Sequence, residues 1–370
     1  MPDLTSPKLT KRQYFVVASL LFGLFFGAGN LIFPLHLGQL AGGHWVGAAA
    51  GFLVTGVLLP LLSVMVIAIT RAEGVFDIGR PLGVVFALVF MVLIHATIGP
   101  LFGTPRTATV SFTVGVAPFV PAQYQQVALL IFSAVFFGLA FAFSYRENSI
   151  LANVGKVLNP MFLALLFLMF LVAFLRPLGN PMTTTATAAY VRGSVVNGFL
   201  QGYNTMDALA GLAFGVTVVT AVRQMGQKRA GTVSKVVAKS GFLAMAGVAL
   251  IYLLLIVVGA MSLGRFKLSA DGGVAFTQLV NYYGGAFGQA VLAVLITVTC
   301  LTTAVGLVAG LPQALPAAFL PRLANPDDLG LLCDRQLRPP TNHRLVNADA
   351  DVLVPVGNGL DPFIGLFALL

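Results

Sequence analysis

Two short polar segments interrupt long apolar runs, and they carry the residues best suited to binding a small polar ligand. The first is FFGAGNLIFP, residues 25–34, which sets two glycines and an asparagine inside an apolar run. The second is GYNTMDALAGLAFG, residues 202–215, which sets Asn204, Thr205 and Asp207 inside another. Backbone at membrane depth leaves the helical form only where it lines a cavity or is buried in protein. The two segments therefore predict two broken helices that share a binding site.

The chemistry of a broken helix indicates what such a site would hold. A half-helix that starts at the break presents free N–H groups and a positive dipole end, which suit a carboxylate. A half-helix that ends there presents bare carbonyls, which suit a cation or an ammonium group. Gly27 and Gly29 allow the chain to unwind and a ligand to approach the backbone. The pattern predicts a zwitterionic amino acid as ligand, together with a small cation.

Asp207 is the one acid that falls within a predicted membrane segment. An ionisable residue inside a membrane is costly, and by default it marks function. Three roles stay open from the sequence. Asp207 could receive the ammonium group of a substrate, accept a coupling proton, or cap the second half of the broken helix.

A third polar pattern lies in TVTCLTTAVGL, residues 297–307. Thr299, Thr302 and Thr303 are spaced i, i+3 and i+4, so they share one face of a helix. A single threonine in a membrane helix often bonds to a carbonyl of its own helix. Three on one face, next to a break, predict hydroxyl ligands for a hard monovalent cation.

The composition places all these segments in a membrane. Of 370 residues, 58% are hydrophobic and 9% are charged, far below the roughly 25% charge of a soluble domain. Apolar runs of about 20 residues or more, the length that spans a bilayer, recur along the chain. We number them as spans one to eight: residues 14–40, 46–70, 82–103, 125–144, 151–175, 194–222, 237–263 and 287–310. The sequence predicts an all-α polytopic membrane protein.

The distribution of Lys and Arg predicts the orientation. With a cytoplasmic N-terminus, twelve such residues fall in inner segments and five in outer loops, the five being Arg106, Arg176, Arg192, Arg265 and Lys267. Positive charge is enriched on the cytoplasmic side of membrane proteins. The net charge of +9 is then explained by basic inner loops beside anionic lipid. Membrane lipid is the expected partner, and no nucleic acid is expected.

Residues that could support enzyme chemistry are sparse. The first 310 residues hold six carboxylates, and five of these fall in loops or the N-terminus. Paired carboxylates for hydrolysis or two-metal chemistry therefore cannot form within the membrane. The two cysteines and four histidines show no metal-binding spacing. We expect no enzyme activity and no cofactor.

Three segments are similar to signature segments of the bacterial branched-chain amino acid carrier family (LIVCS, the BrnQ type). They are LFFGAGNLIFP in span one, GYNTMDALAGLAFG in span six and CLTTAVGL in span eight, and the likeness runs from about residue 10 to 310. The resemblance implies a leucine-transporter fold with two inverted five-helix repeats, in which spans one and six are broken. It also implies import of leucine, isoleucine and valine across the cytoplasmic (inner) membrane, coupled to sodium or, in some members, to protons.

The resemblance also implies roles for individual residues at the two breaks. Ala28, Gly29 and Asn30 would meet the substrate carboxylate, and Tyr203, Asn204 and Thr205 would lie across the cavity, with Asp207 in the same site.

A sodium ion is implied beside that site. The carbonyl oxygens of Gly23 and Phe26, the side chains of Thr302 and Thr303 and the carbonyl of Thr299 would surround it.

The composition changes abruptly after residue 310. Residues 311–370 hold six of the twelve acids and eight of the twenty prolines, where the resemblance demands two more membrane helices. We therefore expect a transporter domain over residues 1–310 and an atypical tail over 311–370, which leaves the second repeat incomplete. A natural soluble tail and a shifted reading frame both explain the change.

A proton-coupled carrier of another small amino acid is an alternative within the same class, and two further classes of function compete with a transporter. One is a residual or scaffold-like membrane protein, inactive because its last helices are missing. The other is an ion channel, which the sequence disfavours because no span shows a repeated polar stripe that could line a pore.

Overall fold

The structure of the protein is a computed structural model that describes residues 9–27, 29–145, 149–227 and 229–314. These residues form α-helices, short 3-10 and π-helical turns and loops, and none of them lies in a strand. The α-helices are α1 (Lys11–Phe25), α2 (Gly29–Ala41), α3 (Trp45–Leu53), α4 (Leu59–Thr70), α5 (Val75–Gly79), α6 (Val84–Ala96), α7 (Gly103–Gly115), α8 (Gln125–Tyr145), α9 (Ser149–Leu175), α10 (Ala188–Tyr203), α11 (Asp207–Gln224), α12 (Ala230–Ser262) and α13 (Gly272–Ala314). Ala28 and most of the tail, residues 315–370, lie outside the described residues.

The chain leaves the helical form at the first predicted break. Phe26 ends α1 with φ −84° and ψ 94°, an extended conformation, and its N–H still bonds to the carbonyl of Phe22. The new helix α2 begins at Gly29, and the N–H of Asn30 bonds back to the carbonyl of Gly27 at 3.1 Å. The polar segment within span one therefore separates two half-helices.

The second predicted break is also present in the structure. Helix α10 ends at Tyr203, and α11 begins at Asp207. Between them Met206 has φ 62° and ψ 11°, a left-handed conformation that costs a non-glycine residue of the order of 1–3 kcal/mol. The surrounding packing must therefore hold this turn in place.

Six stretches of the described residues are long and apolar enough to span a membrane: Gly29–Thr70, Val84–Phe119, Ala122–Ser144, Ala188–Gln224, Gly231–Ser262 and Gly272–Val308. In α9, the 27-residue helix Ser149–Leu175, the apolar stretch counted is Pro160–Leu175. The number differs from the eight predicted spans because Gly29–Thr70 contains parts of spans one and two, and because span five is represented only by Pro160–Leu175. Gly29–Thr70 has 42 residues. At 1.5 Å per residue, a continuous helix of 42 residues would be about 63 Å long, which is twice the thickness of the hydrocarbon core.

The two larger hydrophobic clusters of the interior both include residues of α2 and α12. In the first cluster these two helices pack with α1, α3, α4 and α11. In the second they pack with α7, α8, α9 and α13. Helix α2, which starts at the first break, therefore lies at the centre of the helical assembly.

Glycines allow two pairs of helices to approach closely. A Cβ on Gly38 of α2 would collide with the carbonyl of Ile256 in α12, and one on Gly259 would collide with the carbonyl of Leu35. Gly51 of α3 and Gly198 of α10 meet the opposing backbone in the same way. Small residues at such crossings are typical of membrane helices, because they let backbones touch.

The loops that follow α2 and precede α10 and α13 meet at one end of the molecule. The N–H of Gly43 donates to the carbonyl of Thr184 at 2.9 Å. Gly179 lies so close to Gly264 that a Cβ on Gly179 would stand 2.8 Å from the Cα of Gly264. All three loops are predicted to be outside, so the packing agrees with the alternation of inner and outer loops read from the sequence.

Candidate functional site

Asn30, Asp207 and Tyr252 form a buried polar cluster at the centre of the molecule. Their exposed fractions are 3%, 4% and 0%. The side-chain nitrogen of Asn30 lies 2.7 Å from Asp207 Oδ2, 2.5 Å from the Tyr252 hydroxyl and 2.7 Å from the carbonyl of Phe25. The Tyr252 hydroxyl donates to Asp207 Oδ2 at 2.9 Å. Because an amide nitrogen carries two hydrogens, Asn30 can serve only two of its three acceptors at once.

The cluster joins the two broken helices to each other. Asn30 is the second residue of α2, and Asp207 is the first residue of α11. The positive dipole ends of two helices therefore lie near one carboxylate, which lowers the cost of burying its charge. Phe25, at the end of α1, is tied to the same amide. The bond between Asn30 and Asp207 thus connects the breaks that the sequence predicted separately.

A guanidinium group covers the end of α10. Arg106 Nη1 donates to the carbonyl of Asn204, and Nη2 donates to the carbonyl of Thr205 at 3.3 Å. These are carbonyls that the end of the helix leaves bare. On its other sides the guanidinium lies 5.1 Å from the centre of the Phe33 ring and against Gly29, where a Cβ would stand 3.1 Å from Nη2. Arg106 therefore contacts the end of one half-helix and the start of another.

The position of Arg106 differs from the prediction, which placed it in an outer loop. It lies in α7, and the apolar helical stretch that the sequence ended at residue 103 continues to Phe119. A π-helical turn over Thr97–Leu101, with Gly99 at a non-helical ψ of −111°, bends the chain before α7 resumes. Gly99, Pro100 and Pro105 gave the segment the composition of a loop, although it is helical on both sides of the bend.

The remaining predicted substrate ligands occupy varied positions. Gly29 is buried beneath Arg106, and buried Thr205 donates to the carbonyl of Gly202 at 2.9 Å. Asn204 is exposed, and its amide bonds to Gln201 at 2.7 Å. The side chain of Tyr203 is 49% exposed, and its ring packs edge-on against Phe199. Ala28, the other predicted ligand, lies outside the described residues.

The structure brings only some of the predicted sodium ligands close together. The hydroxyls of Thr302 and Thr303 donate to the carbonyl of Thr299, at 2.8 and 3.0 Å, and so bond within their own helix. The hydroxyl of Thr299 is buried and has no hydrogen-bond partner among the described residues. Phe26 packs on the same hydrophobic cluster as this part of α13, whereas Gly23 stands one turn earlier in α1.

Two residues of the site, Tyr252 and Arg106, were missed in the sequence. Tyr252 is a tyrosine in the apolar run ALIYLLLIV of α12, and a buried hydroxyl nearly always has a partner. That rule could have indicated a polar partner at membrane depth. For Arg106 the signal was the small residues Gly103, Thr107 and Ser111, which repeat every four positions as on a packed helix.

The arrangement can bind both ends of a zwitterion. The carbonyls at the end of α10, which bond to Arg106 in this structure, are of the kind that accepts hydrogen bonds from an ammonium group, while a helix start and a guanidinium are of the kind that attracts a carboxylate. In the described part of the chain, no group of three His, Cys, Asp or Glu residues is placed to hold a metal ion.

Six apolar helical stretches, and two broken helices that meet at buried polar residues, define a multi-pass membrane protein of the transporter class. A family model described as "Branched-chain amino acid transport protein" matches residues 10–320. The chain belongs to this family.

Several characterised relatives share the greater part of the sequence. The branched-chain amino acid permease BrnQ of Lactobacillus delbrueckii subsp. lactis is 39% identical over 314 residues, which cover 84% of this chain and 70% of the relative. The permease BraB of Bacillus subtilis (strain 168) is 39% identical over 307 residues, 82% of this chain and 68% of the relative. BrnQ of Escherichia coli (strain K12) is 37% identical over 300 residues, 81% and 67% of the two chains. These relatives are named as permeases and not as enzymes, and the chain is accordingly a transport protein rather than an enzyme.

Proposed function

We propose that the protein is a secondary transporter that imports leucine, isoleucine and valine across the cytoplasmic membrane by symport with a cation. The proposal rests above all on the meeting of two broken helices at Asn30 and Asp207. The negative dipole end of one half-helix would attract the ammonium group of an amino acid, and the positive dipole end of another would attract its carboxylate. Family membership supplies the substrate class, since the relatives are named for branched-chain amino acids.

Uptake of labelled leucine into vesicles that contain the purified protein tests this function. An inward sodium gradient should drive leucine above its equilibrium level, and unlabelled isoleucine and valine should compete. Uptake driven by a pH gradient alone would assign the coupling to protons instead. Correctly inserted protein that takes up no leucine under either gradient would contradict the proposal and favour a residual membrane protein.

The coupling ion in this proposal is sodium, and Thr302 and Thr303 are two of its ligands. Their hydroxyls bond only to the carbonyl of Thr299 in this structure. A cation can therefore recruit them by rotation of two side chains, without breaking contacts between helices.

Replacing Thr302 and Thr303 together by valine tests those ligands. Each lost ligand costs about 1–3 kcal/mol, so the sodium concentration for half-maximal leucine uptake should rise tenfold or more. Thr217→Val is the matched control, because the hydroxyl of Thr217 also bonds within its own helix, to Phe214 at 2.7 Å. Unchanged sodium dependence in the double variant would exclude both hydroxyls as ligands.

Proton coupling is the second candidate, and one observation favours it. Asp207 is buried, and the neutral side chains of Asn30 and Tyr252 bond to its carboxylate. A carboxylate in that setting is a natural proton acceptor, since protonation removes the cost of a buried charge.

We also propose that the helices form two inverted repeats and that the N-terminus is cytoplasmic. If spans one to five form the first repeat and span six begins the second, the two breaks fall in the first helix of each repeat, as expected for repeats that line a central site. The excess of Lys and Arg in the segments assigned inside supports the orientation.

A further inference from the structure

Arg106 holds a place that a substrate ammonium group would also occupy. Its guanidinium donates to the carbonyls of Asn204 and Thr205, which belong to the end of α10. These are the acceptors that a bound amino acid would use for its own positive end. Two cations cannot share the same acceptors without strong repulsion in a medium of low dielectric constant. Binding of an ammonium group at this helix end therefore requires Arg106 to leave it.

The surroundings of Arg106 indicate where its guanidinium would go. It already lies against Gly29, the first residue of α2, where a Cβ would come within 3.1 Å of Nη2 and 3.2 Å of Cζ. N–H groups in the first turn of a helix have no partner in that helix and attract a carboxylate. A substrate carboxylate at the start of α2 would therefore lie beside the guanidinium, whose fork of N–H groups matches the two carboxylate oxygens.

We propose that Arg106 recognises the carboxylate of the substrate by exchanging partners. In the ligand-free protein its guanidinium donates hydrogen bonds to the carbonyls of Asn204 and Thr205. The ammonium group of an incoming amino acid takes over those carbonyls, and the guanidinium turns to pair with the carboxylate of the same molecule. This inference rests on the proposed function, because it concerns the same site.

The exchange explains how the site would reject simple amines. An amine can also displace Arg106 from the carbonyls, but it brings no carboxylate to receive the guanidinium. Arg106 would then lose both carbonyl acceptors at membrane depth and gain no carboxylate from the ligand, which is costly. Only a molecule with both charges restores every hydrogen bond. Phe33, whose ring lies 5.1 Å from the guanidinium, restricts the path along which Arg106 can turn.

A comparison of leucine with isopentylamine, which is leucine without its carboxylate, tests the proposal. Purified protein is titrated with each compound, and the concentration that gives half of the ligand-induced rise in thermal unfolding temperature is measured. The ratio of the isopentylamine concentration to the leucine concentration measures how much the carboxylate contributes to binding. Arg106→Gln should weaken leucine binding about ten- to a hundredfold, as expected for lost hydrogen bonds to a charged group, and should leave isopentylamine equal or tighter. The ratio should therefore decrease by at least the factor by which leucine binding weakens.

Two further variants make the result decisive. Arg265→Gln removes a positive charge from an exposed arginine that packs on Tyr282, and it should keep the wild-type ratio. Arg106→Lys keeps the positive charge but lacks the forked N–H groups of a guanidinium, so it should lower the ratio by a smaller factor than Arg106→Gln does. If Arg106→Gln does not fold, Arg106→Lys decides: a lowered ratio supports the proposal and a wild-type ratio overturns it.

The other outcomes are distinguishable. An unchanged ratio in Arg106→Gln would overturn the proposal, and so would equal weakening of leucine and isopentylamine, which would indicate a purely structural role. If the wild-type protein itself is not stabilised by leucine, the proposed function fails, and this inference fails with it.

Discussion

The carboxylate of Asp207 links α11 to two other helices, through Asn30 of α2 and Tyr252 of α12. A cap would direct this carboxylate at N–H groups of α11, yet it bonds to Asn30 and Tyr252 on two other helices. The N–H of Asp207 itself bonds to the hydroxyl of Thr205 at 3.4 Å. This geometry favours a bridge between elements over the capping role left open by the sequence.

Replacing Asp207 by asparagine should reduce leucine uptake by tenfold or more without preventing insertion. The change preserves shape but removes a charge that offsets the positive ends of α2 and α11. The comparison is with Asp271→Asn, where the carboxylate accepts from the N–H of Val274 at 2.9 Å as a helix cap and asparagine is nearly as good. Uptake near wild type in both variants, with unchanged pH dependence, would show that Asp207 has no role in transport.

Removing the hydroxyl of Tyr252 should destabilise the protein. Tyr252→Phe keeps the edge-on contact with Phe52, whose ring centre lies 5.2 Å away, so the loss is confined to hydrogen bonds with Asp207 and Asn30. A partner lost to a buried carboxylate costs about 1–3 kcal/mol. Thermal unfolding of the purified protein measures this loss of stability. Tyr283→Phe is the control: the Tyr283 hydroxyl donates to an exposed loop carbonyl, so its removal should lower the unfolding temperature much less.

Single residues were predictable from the sequence only where they broke a pattern. Asn30 and Asp207 were found because a polar group in an apolar run is expensive. Their bond to each other was not predictable, since 177 residues separate them and no local pattern relates the two. Arg106 was assigned to a loop because prolines and glycines around it hid a bent helix.

At the scale of helices, the sequence predicted the two breaks but not every bend. The breaks after Phe25 and Tyr203 combine glycine with polar side chains. Bends at Gly193 and Gly285 involve glycines alone, with Gly285 at φ 59°. Glycine is frequent in membrane helices for packing as well as for bending, so its presence by itself does not locate a bend.

The crossing of α2 and α12 makes a prediction at this scale. Gly38→Ala would place a Cβ within 2.8 Å of the backbone nitrogen of Ala260, so the helices must separate, at about 1–3 kcal/mol. A lower thermal unfolding temperature and weaker leucine uptake should follow, because α2 carries Asn30. Gly247→Ala in α12 is the control, since its Cβ would meet only the Phe22 ring at 3.7 Å. Equal stability of the two variants would contradict the close crossing.

At the scale of the whole molecule, the loops assigned outside should be accessible from outside the cell. In a chain with Cys300 and Cys333 replaced by alanine, an impermeant maleimide should label Thr183→Cys in intact cells but not Glu73→Cys. Both positions are exposed in the structure, and both should react once cells are permeabilised. Labelling of Glu73→Cys alone in intact cells would reverse the orientation.

The bond network around Asn30 also has a consequence for how the protein is made. Asn30 is synthesised 177 residues before Asp207 and 222 residues before Tyr252. At about 5–20 residues per second, roughly 11–44 s separate the appearance of Asn30 from that of its last partner. Until Asp207 appears, about 9–35 s after Asn30 at this rate, the ribosome and the membrane insertion machinery hold a polar amide in a nascent chain that offers it neither side-chain partner. We therefore expect the first broken helix to stay beside the insertion machinery until α12 arrives, and only then to be released into lipid.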